Sequence, residues 1–402
     1  MTAQGDIFAK LKSGRMEEYH AASQLEYFPF YRVLEGEVGP TVDFNGRKMI
    51  NLGSNNYLGL TTDPRVRKEA IDAVERYGTG VTGSRLLNGT LPLHEEFEEI
   101  LADWVAMDSA LVFTTGYAAN LGLISSLVRE ADGVFVDSAA HASLVDGATM
   151  AAGQLRAFRH NRPNSLRRGL RSWRDHQVAE GAGGVLVAVD GIYSMEGDWA
   201  PLNEIADLSS EFNARLLVDE AHALGVVGPK GAGTAAEVGI RPDIIMGTFS
   251  KSLASCGGFI AGSKELIEFL RVHCRPLQFT ASGTPSALAA ALTAAKLAQE
   301  EEWRRESVHE RAEQLRLGLQ EIGYDVGTSR GSAIVPVHVG DDWAAGALWH
   351  SLLEEGVYTN CAIAPAVPRA VLRTSVMATH SEEDIDRALR SFAKAAKKTD
   401  TM

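Results

Sequence analysis

Six short apolar runs, at 110–114, 133–136, 185–189, 215–218, 244–247 and 259–261, alternate with segments of helical spacing such as 141–152, 202–212 and 264–273. Runs of this length read as buried strands. A helix between two strands carries the chain back across the sheet, so the alternation predicts a largely parallel sheet covered by helices on both faces. Open sheets of that kind bind ligands at the carboxyl ends of their strands. The residues that follow each run are therefore the first place to look for chemistry.

Near Pro285 the character changes to an Ala-rich and then a charged helical pattern. A smaller α+β unit is expected beyond it, with a strand over 333–339, a helix near 343–354 and a strand over 372–376. Ser381 suits the cap of a closing helix, with Glu382, Glu383 and Asp384 in its first turn. We divide the chain into an N-terminal segment (1–57), a large α/β domain (58–285) and a small C-terminal α+β domain (286–402). A chain of 402 residues can bury a core in each of the two larger parts. The net charge of -13 argues against a general nucleic-acid or anionic-membrane binder. No run of about 18 apolar residues offers a membrane span, and MTAQGDIFAKLKSGRMEEYH lacks the apolar core of a signal peptide. Cys256, Cys274 and Cys361 are widely spaced, without a CxxC pair, which points to a reducing, cytoplasmic setting and no metal.

One motif misleads. Gly78, Gly80 and Gly83 spell GxGxxG, but a helical pattern precedes them where a dinucleotide fold needs a strand. The stronger signal is GTFSKSLASCGGF, where Lys251 follows the 244–247 strand with Thr248 and Ser250 as hydroxyl donors. A second is LLVDEAHALG, where Asp219 ends a strand and His222 follows. Pyridoxal phosphate requires such a set: a lysine to carry it, a carboxylate facing its ring nitrogen, and a donor for its phenolic oxygen. In LVFTTGYAANLG a strand turns into a helix at Gly116, so the amides of Gly116 and Tyr117, helped by Thr115, can hold a phosphate. His141, opening a helix in DSAAHASLVDG, can stack on a flat ring.

Together with GSNNYLGL, GSRLLNGT, VDGIYSMEGDWAPL and VLRTSVMATHS, these stretches resemble the α-oxoamine synthases, fold-type I pyridoxal-phosphate enzymes, and most of all their serine palmitoyltransferase branch. The resemblance implies a fold-type I aminotransferase-like fold, with a mostly parallel seven-stranded sheet in the large domain. It implies that Lys251 carries the cofactor, that Asp219, His222, His141 and Ser194 surround its ring, and that Gly116, Tyr117, Thr248 and Ser250 hold its phosphate. Asn55 and Arg373 match residues that hold the amino-acid carboxylate. It further implies a homodimer in which Thr280 or Ser282 reaches the other subunit's phosphate, and substrates consisting of an amino acid and an acyl thioester of coenzyme A or a carrier protein. Glycine- or alanine-using members and aminotransferases share much of this pattern, while a silent scaffold subunit would be expected to lose Lys251. Three departures stand out: Asp190 where many members have Glu, Cys361-Ala-Ile-Ala-Pro365 where several have an arginine, and Gly283-Thr-Pro285 in place of a double proline.

Overall fold

The structure, a computed structural model, describes residues 6–12, 14–25, 28–180, 183–364 and 367–399. Pro365 and Ala366, at the end of the Cys361 stretch, lie outside them, as do residues 1–5 of the N-terminal segment. An antiparallel ribbon comes first, β1 (Thr41–Phe44) and β2 (Arg47–Asn51). The central sheet is built from β3 (Ser109–Phe113), β4 (Gly133–Asp137), β5 (Gln154–Phe158), β6 (Val185–Asp190), β7 (Arg215–Asp219), β8 (Ile244–Thr248) and β9 (Gly258–Gly262). Their spatial order is β3-β9-β8-β7-β6-β4-β5, parallel except at β9, which runs antiparallel to both neighbours.

Side chains alternate across a strand, and that period sorts the apolar residues into two faces. Val134, Val136, Leu186, Ala188 and Leu217 pack beneath the helices Gly116–Leu127 and Ala142–Met150, together with Leu123, Ile124 and Leu144. Phe135, Val187, Val189, Leu216 and Val218 face the helices Pro163–Glu180 and Leu202–Glu211 through Leu166, Trp173, Ile205 and Leu208. Six strands fall within a residue of the apolar runs. The exception is β5, an edge strand reading QLRAF whose first four residues are exposed, so it has no apolar run to betray it.

The small unit contains β10 (Ile334–His338), β11 (Val357–Tyr358), β12 (Asn360–Ala362) and β13 (Val371–Ser375). Three of these form an antiparallel sheet in the order β10-β13-β12, whereas β11 pairs in parallel with β2 and so joins the N-terminal ribbon to this unit. Helices Asp342–Glu354 and Glu382–Thr399 cover it. Ser381 caps the second through a reciprocal pair, Asp384 N–H to Ser381 Oγ at 3.1 Å and Ser381 N–H to Asp384 Oδ2 at 3.0 Å. The connecting helix Glu302–Ile322 is anchored by buried Arg304, which donates to the Leu58 carbonyl at 2.6 Å and to Asp63 at 2.9 Å. No described helix is long and apolar enough to cross a membrane.

The carboxyl ends of β3, β4, β6, β7 and β8 share one edge of the sheet, and β9 returns between β3 and β8 close against it. A Cβ on Gly258 would stand 2.6 Å from the Gly116 Cα, so the strand and the start of the Gly116–Leu127 helix can approach only because both residues are glycine. Gly258→Ala should destabilise the protein by about 1–3 kcal/mol, as overpacking does, lowering the denaturant midpoint. An unchanged midpoint would show that the helix start moves away at no cost.

Candidate active site

Asp219 closes β7, and its buried carboxylate accepts from Asn120 Nδ2 at 2.8 Å and from the Ala221 amide at 2.9 Å. Lys251 lies just beyond the end of the neighbouring β8. Burial pushes its amine down to about 8, with Arg373 acting in the same direction, while Asp219 and Asp190 oppose the shift. Such an amine is neutral in a useful fraction at neutral pH and is nucleophilic.

His222, two residues beyond Glu220 in the turn after β7, is held well below the ordinary imidazole range by burial first and then by Lys251 and Arg373. Its Nδ1 lies 2.7 Å from the hydroxyl of buried Tyr57, and that hydroxyl lies 3.2 Å from Asn55 Oδ1. With the hydroxyl proton on the nearer acceptor, Nε2 carries the ring's own proton and becomes a donor. Tyr57 also accepts from Arg373 Nη2 at 3.0 Å, and Arg373 Nε donates to the Ser194 carbonyl at 2.7 Å. Arg373 sits in the middle of β13, almost wholly buried, with further N–H groups of its fork left for a carboxylate.

His141 caps the helix Ala142–Met150. Its own N–H reaches Asp190 Oδ1 at 3.2 Å, and its Nδ1 accepts from the Ser143 amide at 3.2 Å and lies 2.7 Å from Ser143 Oγ. Ser143 Oγ in turn accepts from Asn120 Nδ2 at 2.9 Å, so one buried amide orients both the Asp219 carboxylate and the His141 support. Burial keeps the His141 imidazole below its usual range, which leaves a neutral flat ring.

At the start of the helix Gly116–Leu127, Thr115 Oγ1 accepts the Ala118 amide at 3.0 Å. The Gly116 and Tyr117 amides precede it at the positive end of the helix dipole. The Tyr117 ring turns outward to Asp146. Thr248 Oγ1 lies 2.9 Å from the Gly257 carbonyl and 3.0 Å from Ser250 Oγ, and Ser250 is exposed. Thr280 is exposed too. Ser282 Oγ lies 2.9 Å from His94 Nε2, and its amide donates to the Gly83 carbonyl at 2.8 Å.

This donor set fits pyridoxal phosphate. A lysine with a lowered pKa, a buried carboxylate, a donor imidazole and a glycine-lined helix start converge on one sheet edge. A Cβ at Gly116 would come within 2.7 Å of Met246 and 3.0 Å of Thr248 Oγ1, so glycine lets the helix start sit directly against the end of β8. Tyr57 and Asn120 were not among the sequence candidates, although both lie inside the stretches that carry them, GSNNYLGL and FTTGYAAN. The glycines at 78, 80 and 83 follow the helix Pro64–Tyr77 and enter a loop, so the dinucleotide motif is coincidental.

The family described as aminotransferase class I and II matches residues 47–392. Over 383 residues the chain is 41% identical to a serine palmitoyltransferase of Caulobacter vibrioides, covering 94% of this chain and 93% of that one. Identity is also 41%, over 372 residues, to an 8-amino-7-oxononanoate synthase of Geobacter sulfurreducens, covering 91% and 93%. A solved structure of SPT with PLP superposes with a TM-score of 0.92 at 36% identity, covering 99% of this chain and all of that one (100%). The chain thus belongs to the class I and II aminotransferase family and, within it, to the pyridoxal-phosphate-dependent α-oxoamine synthases.

Proposed function

We propose that this protein condenses serine with a long-chain acyl thioester, releasing the thiol and carbon dioxide and leaving an α-amino ketone. The observation that carries the reading is the placement of Lys251 just beyond the end of β8, next to β7, whose last residue is the buried carboxylate Asp219. Pyridoxal phosphate, when bound, supplies an electron sink for charge developing at the amino acid's α-carbon.

When bound, the cofactor would be held by Lys251, whose amine, once free, would take the α-proton of the amino acid. Asp219 would keep the ring nitrogen protonated and His222 would donate to the phenolic oxygen. His141 would lie against the ring with Ser194 near it, and Gly116, Tyr117, Thr248 and Ser250 would hold the phosphate. Arg373 and Asn55 hold the substrate carboxylate, which makes proton removal effectively intramolecular. The α-carbon then forms its bond to the acyl carbon, the thiolate leaves and takes a proton from solvent, the carboxylate departs as carbon dioxide, and the proton held by Lys251 returns to the α-carbon in its place. The same reading includes a cytoplasmic homodimer whose Thr280 or Ser282 completes the other subunit's phosphate site, coenzyme A or a carrier protein as the thiol, and the division 1–57, 58–285 and 286–402.

Carboxyl-labelled serine incubated with a long-chain acyl thioester should yield labelled carbon dioxide, free thiol and amino ketone in equal amounts. Label retained with every amino acid and thioester tried would remove the synthase reading. Thiol release without label would indicate simple hydrolysis.

Lys251 also predicts a pH profile. A lysine whose pKa is lowered is protonated below that value and reactive above it, so capture of pyridoxal phosphate by cofactor-free protein should accelerate up to about pH 8 and then level off. A rate still climbing at pH 10 would mean an ordinary lysine. Because Asp219 raises this pKa, Asp219→Asn should shift the midpoint to lower pH. In the reconstituted enzyme the same substitution should cost at least about 100-fold in turnover, roughly 2.7 kcal/mol of transition-state stabilisation. Normal turnover by a folded, cofactor-loaded Asp219→Asn protein would exclude the carboxylate from the mechanism.

A further inference from the structure

Outside the Lys251 cluster, His160, just past the end of β5, is held by carboxylates at both ring nitrogens. Its Nδ1 lies 3.0 Å from Asp137 Oδ1 and its Nε2 lies 3.1 Å from Asp198 Oδ2. Asp137 ends β4 with its side chain fully buried, and its second oxygen accepts from the Asn161 amide at 2.9 Å. A ring whose two nitrogens both face carboxylate oxygens satisfies both only as a double donor, the imidazolium. Burial alone would lower its pKa, but the hydrogen bonds and charges of Asp137 and Asp198 outweigh that and hold it at about 10.

What this cation grips is the turn 193–198. The turn is closed by its own backbone, Tyr193 N–H to the Asp198 carbonyl at 3.0 Å and Gly197 N–H to the Tyr193 carbonyl at 2.8 Å. The Tyr193 ring meets the His160 ring edge-on, centroids 4.4 Å apart. Asn161 Nδ2 adds bonds to Asp198 Oδ2 at 2.9 Å and to the Trp199 carbonyl at 3.0 Å. From the other side the small unit closes on the same turn: His338 Nε2 lies 3.2 Å from Glu196, and Gly197, at φ +65, leaves no room for a Cβ beside the Ile334 carbonyl. At the centre of the turn is Ser194, whose carbonyl accepts from Arg373 Nε.

We propose that His160, clamped between Asp137 and Asp198, is a positioning residue for the amino-acid substrate: it pins the turn 193–198 and through the Ser194 carbonyl aims the Arg373 guanidinium. The inference rests on the reading of Arg373 as the carboxylate clamp. It assigns His160 no contact with substrate or cofactor. Removing the cation leaves Asp137 and Asp198 bridged by Asn161 alone among the described residues, with no positive charge between them, so the turn should loosen while Asp219, Lys251 and the phosphate amides stay in place.

The test compares the holoenzyme with its His160→Gln and Asp198→Asn variants. His160→Gln should raise the KM for the amino acid about 10-fold or more while kcat falls less than about 3-fold. The KM for the acyl thioester should be unchanged. The amino-acid affinity read from the cofactor's absorbance change should weaken by the same factor, and Asp198→Asn, which keeps an acceptor for His160, should move both in the same direction by less. Amides of 193–198 should lose protection from hydrogen exchange in both variants, with 219–222 unaltered. Unchanged protection and amino-acid affinity in the folded variants would overturn the proposal, as would equal losses for both substrates. The exchange measurement needs no substrate, so it decides the role of His160 even if the unsubstituted enzyme fails to release carbon dioxide from serine, an outcome that counts against the reaction instead.

Discussion

Two buried carboxylates stand side by side where β6 and β7 end, for Asp190 and Asp219 are register partners. Like charges that close, out of water, cannot both be carried without compensation. The surroundings treat them unequally. Asp219 receives the Asn120 side chain and the Ala221 amide, whereas Asp190 receives only the His141 amide. Burial first, and the charge of Asp219 next, push the Asp190 carboxyl well above its ordinary range. Of the two, Asp219 is the better supplied with donors, and its charge opposes the lowering of the Lys251 pKa more than that of Asp190 does.

Around that charge the neutral groups are held in fixed tautomers. Asn120 links Asp219 to Ser143 and so to His141, and Tyr57 links His222 to Arg373. These are short, mostly buried bonds between elements far apart in sequence, and each member loses a partner if another moves. The arrangement joins the rigid central sheet, the N-terminal segment through Tyr57 and the small unit through β13. Reaction geometry is therefore a property of all three parts, although the chemistry lies on the sheet alone.

This division explains what could be read from the sequence. Strand-end residues announce themselves: a buried parallel strand is an apolar run, and the first polar residue after it lies at the edge, as with Asp219 after β7 and Thr248 after the 244–247 run, three residues before Lys251. The fold followed from the same runs except at β5, whose charged, exposed residues carry no apolar signal. The groups that orient the site were hidden for a different reason. Tyr57 and His222 are 165 positions apart, and Arg373 reaches Tyr57 across 316. No local pattern encodes such a meeting. His160 is as silent, a histidine after an edge strand, until the ends of β4 and the turn 193–198 close on it.

Substrate choice is set elsewhere again. Asn360 of β12 pairs in register with Arg373 and donates to the Gly53 carbonyl at 2.6 Å, so the strand leading into 361–364 lies directly against the clamp. Equal identity to a serine palmitoyltransferase and to an 8-amino-7-oxononanoate synthase, 41% in each case, means that overall likeness cannot separate the two reactions, and these few residues have to. Where several α-oxoamine synthases carry an arginine just before the proline-containing loop, this chain reads Cys361-Ala-Ile363-Ala-Pro365. Cys361 is buried, and that burial pushes its thiol up to about 12. On the proposed reading of Arg373 as the carboxylate clamp, a neighbouring stretch without that arginine leaves the grip to Arg373 and to the two groups that aim it, the Ser194 carbonyl and the Tyr57 hydroxyl.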